Sequence, residues 1–177
     1  MEQLLLWLEE SRLSVAIAGS QYMYPAILAA HGVGMALVVG LNTAVSLRVL
    51  GVASELPLAG MTRFYPMMWA GLLVNVVTGV LLTMAAATRV LVDPVFFCKI
   101  TFVLLAVVNM VLLKRALLRR DEDPVDSIAP AAVGTRVIPA TRPATSIRLM
   151  AVASIVLWGA AITLGRLMGY TFFRFWQ

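Results

Sequence analysis

The chain has 177 residues, of which 61% are hydrophobic and 13% charged, with mean hydropathy +0.91 and a formal net charge of +5. Those values exclude an ordinary soluble domain and point to a protein built for lipid. The basic balance does not mark a nucleic-acid binder, because no soluble basic domain exists to carry a footprint, and the single cysteine, Cys98, excludes an intrachain disulfide and a cysteine-built metal site.

In chain order, residues 2–20 read as an amphipathic helix lying in a membrane interface. Leu4, Leu5, Trp7, Leu8, Val15 and Ile17 offer apolar contact while Glu9, Glu10, Ser11 and Arg12 stay wet. The acidic start and the missing basic n-region argue against a cleavable signal peptide. Four runs then reach the roughly 20 apolar residues that a bilayer core of about 30 Å requires: residues 25–50, 66–87, 94–113 and 147–169. They are continuous rather than alternating, which argues against a β-barrel. Asp93 and Pro94 form a helix start, the acid as cap and the proline at the first helical position. Residues 114–146 read as a loop, since "RRDEDPVDSIAPAAVGTRVIPATRPAT" breaks the apolar pattern with four acids and four prolines. The C-terminal "YTFFRFWQ" reads as an aromatic anchor at an interface. The predicted fold is all-α: a single integral membrane domain, an antiparallel four-helix bundle preceded by an interfacial amphipathic helix.

Orientation follows from the basic residues. Nine of the 14 fall on one face: Arg48, Arg63, Lys114, Arg115, Arg119, Arg120, Arg136, Arg142 and Arg148. The other face holds five, so the nine are expected in the cytoplasm and both termini in the periplasm of a bacterial inner membrane.

The residues able to carry chemistry are few. His31, the single histidine, sits inside "YPAILAAHGVGMALVVG", and Lys99 and Arg166 lie in the same leaflet. Cationic groups placed inside spans cost about 3 kcal/mol on insertion scales and therefore face a bundle interior, a wet cavity or a route to the surface. Three readings fit. One is a b-type haem, with His31 as axial ligand to the iron and Lys99 and Arg166 receiving the propionates; a methionine or a partner subunit would then supply the second ligand. Another is an anionic lipid head group or a quinone-like molecule bound by the same three residues. The third is a neutral histidine bonded to a carbonyl, with the two cations reaching head-group phosphates.

In the other leaflet, Asn42, Asn75 and Asn109 read as interhelical hydrogen-bonding amides. Gly32, Ala36 and Gly40 form a small-residue ridge that permits close approach within a bundle or an oligomer, and "TGV" at residues 78–80 and "GAAITLG" at 159–165 are similar. Met61, Met67, Met68, Met84 and Met110 read as adaptable packing rather than a copper site. Ser46, Ser54 and Ser154 have no base beside them, and no phosphate or dinucleotide fingerprint occurs, so a hydrolase is not indicated.

The stretches "YPAILAAHGVGMALVVG", "SLRVLGV", "YPMMWAGLLVNVVTGVLL", "DPVFFCKITFVLLAVVNMVLL" and "SIVLWGAAITLGRLMGY" together resemble an uncharacterised family of small four-span bacterial inner-membrane proteins. The resemblance extends more distantly to bundles of the copper-resistance protein D and cytochrome b561 type. The matched positions are His31, Arg48, Pro66, Trp69, Gly79, Lys99, Asn109, Trp158, Arg166 and Tyr170. Many members of that family carry a histidine near the cytoplasmic end of the third span, where this chain has "NMVLLKR". The departure speaks against a two-haem electron path across the membrane. The family has no settled activity to carry over.

The function expected from all this is a non-enzymatic accessory or anchor subunit of an inner-membrane complex, redox or respiratory in kind, that associates with lipid and with other membrane subunits or itself. The alternatives are a haem b electron carrier centred on His31, Lys99 and Arg166, and a small-solute or metal permease. The last is disfavoured because no carboxylate lies within a span.

Overall fold

The computed structural model describes residues 2–52, 58–122 and 144–174. Among them every α or 3-10 element is helical and no strand occurs. Two short helices come first, α1 (Glu2–Glu9) and α2 (Arg12–Gly19), followed by the long α3 (Met23–Leu50). A 3-10 helix (Leu58–Phe64) leads into α4 (Tyr65–Met84), and the single-turn α5 (Ala87–Val90) precedes α6 (Pro94–Glu122) and α7 (Thr145–Arg174). Four helical stretches are long and apolar enough to cross a membrane, Met23–Leu50, Gly60–Met84, Pro94–Arg119 and Thr145–Tyr170, which is the character of a multi-pass helical membrane protein.

Local chemistry sets the ends of these helices. α3 stops at Gly51, whose φ of 105° is open to glycine; its N–H bonds to the Arg48 carbonyl at 3.1 Å, and that of Val52 to Leu47 at 3.0 Å. This is the paired closure of a Schellman motif. At the start of α6 the Asp93 carboxylate accepts from the Val95 N–H at 2.8 Å, and Pro94 occupies a position whose amide would be unpaired anyway.

The N-terminal segment differs from a single helix over residues 2–20. It breaks at Ser11, whose hydroxyl caps α2 by accepting from the Ser14 N–H at 3.3 Å, while the Ser14 hydroxyl reaches back to the Leu8 carbonyl at 2.9 Å. Serine side chains that satisfy main-chain groups locally favour such breaks. Glu9 is not simply hydrated: its carboxylate accepts from the Thr88 N–H at 3.1 Å and the Thr88 hydroxyl at 2.5 Å, tying α1 to α5. Helix α6 also runs further than expected, to Glu122, into the region read as loop. The remaining connection, residues 123–143 with Arg136 and Arg142, and the terminal residues 175–177 lie outside the described residues.

Helix α4 packs on α3, α3 on α7, and α7 on α6. α3 and α4 run antiparallel, joined where the Asn75 amide donates to the His31 carbonyl at 3.0 Å. α3 and α7 are likewise joined where the Asn42 amide donates to the Ser154 hydroxyl at 2.6 Å. Two buried clusters draw on all four long helices: Val38, Leu72, Ala106 and Trp158 near mid-length, and Val45, Val49, Tyr65, Met68, Met110, Leu113 and Ala151 towards the end that carries Tyr65. There Lys114 also places its ammonium 5.5 Å from the Tyr65 ring centroid, a cation–π contact. The opposite end, which carries His31, has no such cluster among the described residues, and no side chain of α6 from Pro94 to Leu105 is buried.

Candidate functional site

His31 lies eight residues into α3, about 12 Å along the axis. Its ring packs against α4: a Cβ built on Gly79 would stand 3.3 Å from the imidazole Cε1, so a side chain there would push the ring by a few tenths of an ångström. Nδ1 lies 3.0 Å from the Thr78 hydroxyl. That hydroxyl owns one proton and sits 2.6 Å from the Val74 carbonyl, with the Asn75 carbonyl at 3.2 Å. With the proton directed to Val74, the threonine oxygen can only accept from the ring, so the network assigns the hydrogen to Nδ1. Nε2 then carries a lone pair, and none of the hydrogen bonds found among the described residues uses it. Thr78 belongs to the small-residue stretch at 78–80, and its pairing with His31 across 47 positions has no local sequence signal.

Lys99 turns across to α7 rather than out along its own helix. A Cβ at Gly165 would lie 3.5 Å from its Cε and 3.6 Å from its Nζ. Eleven residues before Asn42 on α3 is His31, and eleven residues after its partner Ser154 on the antiparallel α7 is Gly165. At 1.5 Å per residue both displacements are about 16 Å, which brings the imidazole and the ammonium to one level. Arg166 is exposed, and no hydrogen bond or ion pair joins it to His31 or Lys99 among the described residues.

The asparagines lie nearer the Tyr65 end or at mid-length, and each reaches another helix. Asn75 bonds the His31 carbonyl, Asn42 bonds Ser154, and Asn109 donates to the Met150 carbonyl at 3.0 Å. Among the described residues four buried side-chain polar atoms lack hydrogen-bond partners: Asn42 Oδ1, Ser46 Oγ, Tyr65 Oη and Trp158 Nε1. The ridge of Gly32, Ala36 and Gly40 does not pack inside the chain. All three are exposed, and nothing lies within 4 Å of a Cβ built on Gly32 or Gly40. The close crossing of α3 and α4 instead uses Gly34 and Gly71, which the spacing pattern did not single out.

Among the described residues no group of three or more His, Cys, Asp or Glu side chains converges on a metal position. A haem is a different test, since one imidazole and a cation suffice on one face. His31 offers Nε2 with Nδ1 held by an outer hydrogen bond, as ligating histidines are, and Lys99 stands level with it. No second histidine exists in the chain to complete a bis-imidazole pair. Comparisons of the chain with protein-family models, with curated proteins and with solved structures found no match.

Proposed function

We propose that this chain is a non-enzymatic accessory or anchor subunit of a bacterial inner-membrane complex of redox or respiratory type. In this reading it folds as an antiparallel four-helix membrane bundle, its two N-terminal helices lie in the interface, and both termini are periplasmic. The carrying observation is the outer face of α3. Gly32, Ala36, Gly40 and Ala44 recur every four residues and all four are exposed. In lipid there is no hydrophobic drive between helices, so association depends on close packing, and such a face admits a second helix at short distance. In an apolar 18-residue stretch of each span, between 17% and 33% of the residues are buried within the chain, which leaves most of that surface to lipid or a partner.

The test is affinity purification of the full chain from native membranes, alongside Ala36→Leu and Gly40→Leu. The expected result is unrelated membrane subunits in fixed ratio with the wild type and their loss from both variants, with thermal stability unchanged. A wild-type chain that purifies alone refutes the reading.

The unoccupied Nε2 of His31 favours one second reading, a b-type haem electron carrier. His31 would ligate the iron and Lys99 would hold a propionate, while the haem would supply one-electron chemistry. A Soret band in the purified protein that His31→Ala abolishes supports it, and a colourless preparation sinks it.

A further inference from the structure

Among the described residues Lys99 has no counter-ion. All nine acidic residues of the chain fall outside the four spans, and the nearest in sequence, Asp93, uses its carboxylate to cap α6. Among the described residues no hydrogen bond or ion pair to the Lys99 ammonium is found. Lys99 is half-buried, and a cation drawn partly out of water inside a span is stabilised by an anion beside it. A lysine this close to a helix end usually extends towards the surface. This one instead lies across Gly165, its Cδ, Cε and Nζ all within 3.8 Å of a Cβ position there, at the level of His31. At the same level along the helices lies an imidazole whose Nδ1 is committed to Thr78 and whose Nε2 is not.

The surroundings indicate how a ligand arrives. Buried side chains of α4 and α6 share a cluster at mid-length and another at the Tyr65 end, whereas among the described residues no buried apolar cluster joins the two helices at the His31 end. Val76, Val77 and Val80 on α4 and Phe97, Ile100 and Leu104 on α6 are exposed apolar side chains at that end. A free anion would have to cross that apolar belt, while an amphiphile could lay its chains along it.

We propose that His31 and Lys99 form a site for the phosphate head group of an anionic phospholipid that enters between α4 and α6. Lys99 supplies the charge for a phosphate oxygen. His31 Nε2 accepts a hydroxyl hydrogen from the head group, as the glycerol of phosphatidylglycerol provides. The site goes beyond the subunit reading and stands whether or not a partner subunit is found.

The experiment uses the full chain, delipidated in an uncharged detergent, and reads thermal unfolding after addition of phosphatidylglycerol, phosphatidylcholine or inorganic phosphate. Phosphatidylglycerol should raise the midpoint by about 3 °C or more. Lys99→Met should lose most of that rise, and Arg148→Gln, an exposed cation at the opposite end, should keep it. An equal rise with phosphatidylcholine, or a full rise in Lys99→Met, overturns the proposal. A full rise with inorganic phosphate alone overturns the assignment to a lipid, and a Soret band in the isolated protein overturns it by placing iron on Nε2. If Lys99→Met does not fold, native mass spectrometry of the wild type decides: one phosphatidylglycerol retained per chain after washing supports the site, and equal retention of phosphatidylcholine removes it.

Discussion

Gly34 and Gly71 bring the backbones of α3 and α4 into direct contact. A methyl group on Gly34 would stand 2.9 Å from the Gly71 carbonyl oxygen and 3.0 Å from the Asn75 nitrogen, and one on Gly71 would stand 2.8 Å from Leu37 Cβ. The obstacles are mostly backbone, so the helices must part, and the Asn75 bond to the His31 carbonyl lies in the same crossing. Gly34→Ala or Gly71→Ala should therefore cost about 1–3 kcal/mol. Gly32→Ala and Gly40→Ala meet nothing within 4 Å and should be neutral or slightly stabilising, by about 0.5 kcal/mol, because alanine favours helix. Thermal unfolding of the four variants in one detergent checks the contrast, and equal behaviour of both pairs would refute the crossing.

Thr78 fixes the hydrogen of His31. Removing its hydroxyl in Thr78→Val keeps the shape but takes away the acceptor at 3.0 Å, which should cost about 1 kcal/mol and release the ring into a mixture of tautomers. Because the chain has one histidine, nitrogen NMR of histidine-labelled protein gives a single unambiguous ring. The wild type should show hydrogen on Nδ1 and a bare Nε2, and Thr78→Ser should preserve that pattern. A wild-type ring protonated on Nε2 would reverse the assignment.

The spans were legible in the sequence because their signal is additive: each needs only enough apolar residues in a row. Which face of a span is buried was not. α3 is apolar on all sides, so hydropathy cannot distinguish the face carrying Gly34 from the face carrying Gly32, Ala36 and Gly40. His31 and Lys99 stand out in the sequence because polar groups are costly in lipid. Their neighbours were not, since Thr78, Gly79 and Gly165 are common residues whose meaning lies in what another helix brings to them. The break at Ser11 had a visible signal, a serine able to cap the next turn, but the apolar periodicity on either side outweighed it.

Asn42 and Ser154 form a buried polar pair whose members depend on each other. The bond is 2.6 Å long, both residues are fully buried, and Asn42 Oδ1 already lacks a partner. Ser154→Ala leaves the Asn42 amide unpaired as well and should cost about 1–3 kcal/mol. Asn42→Leu combined with Ser154→Ala removes both polar groups and should cost less than the sum of the single changes, with a coupling of about 0.5 kcal/mol or more. A double-mutant cycle by thermal or denaturant unfolding measures that coupling; strict additivity would mean that the two side chains do not interact.

Glu9 holds the N-terminal helices to the turn between α4 and α6. Its carboxylate takes two hydrogen bonds from Thr88, one from the amide and one from the hydroxyl, across 79 positions of sequence. Such charge-assisted bonds are each worth about 1.5–3 kcal/mol when partly shielded, yet they tie down a segment whose Leu4 and Trp7 remain exposed. Glu9→Ala should therefore loosen α1 without unfolding the long helices. Hydrogen exchange of residues 2–9 should quicken by at least about tenfold, a factor equivalent to about 1.4 kcal/mol, while amides of α3 and α7 keep their protection. Glu9→Gln retains a carbonyl acceptor and should show a smaller effect. Ile17 and Ser14 are fully buried, so α2 should stay docked in both variants, and simultaneous loss of protection in α2 and α3 would mean that the clasp supports the whole fold rather than its first helix.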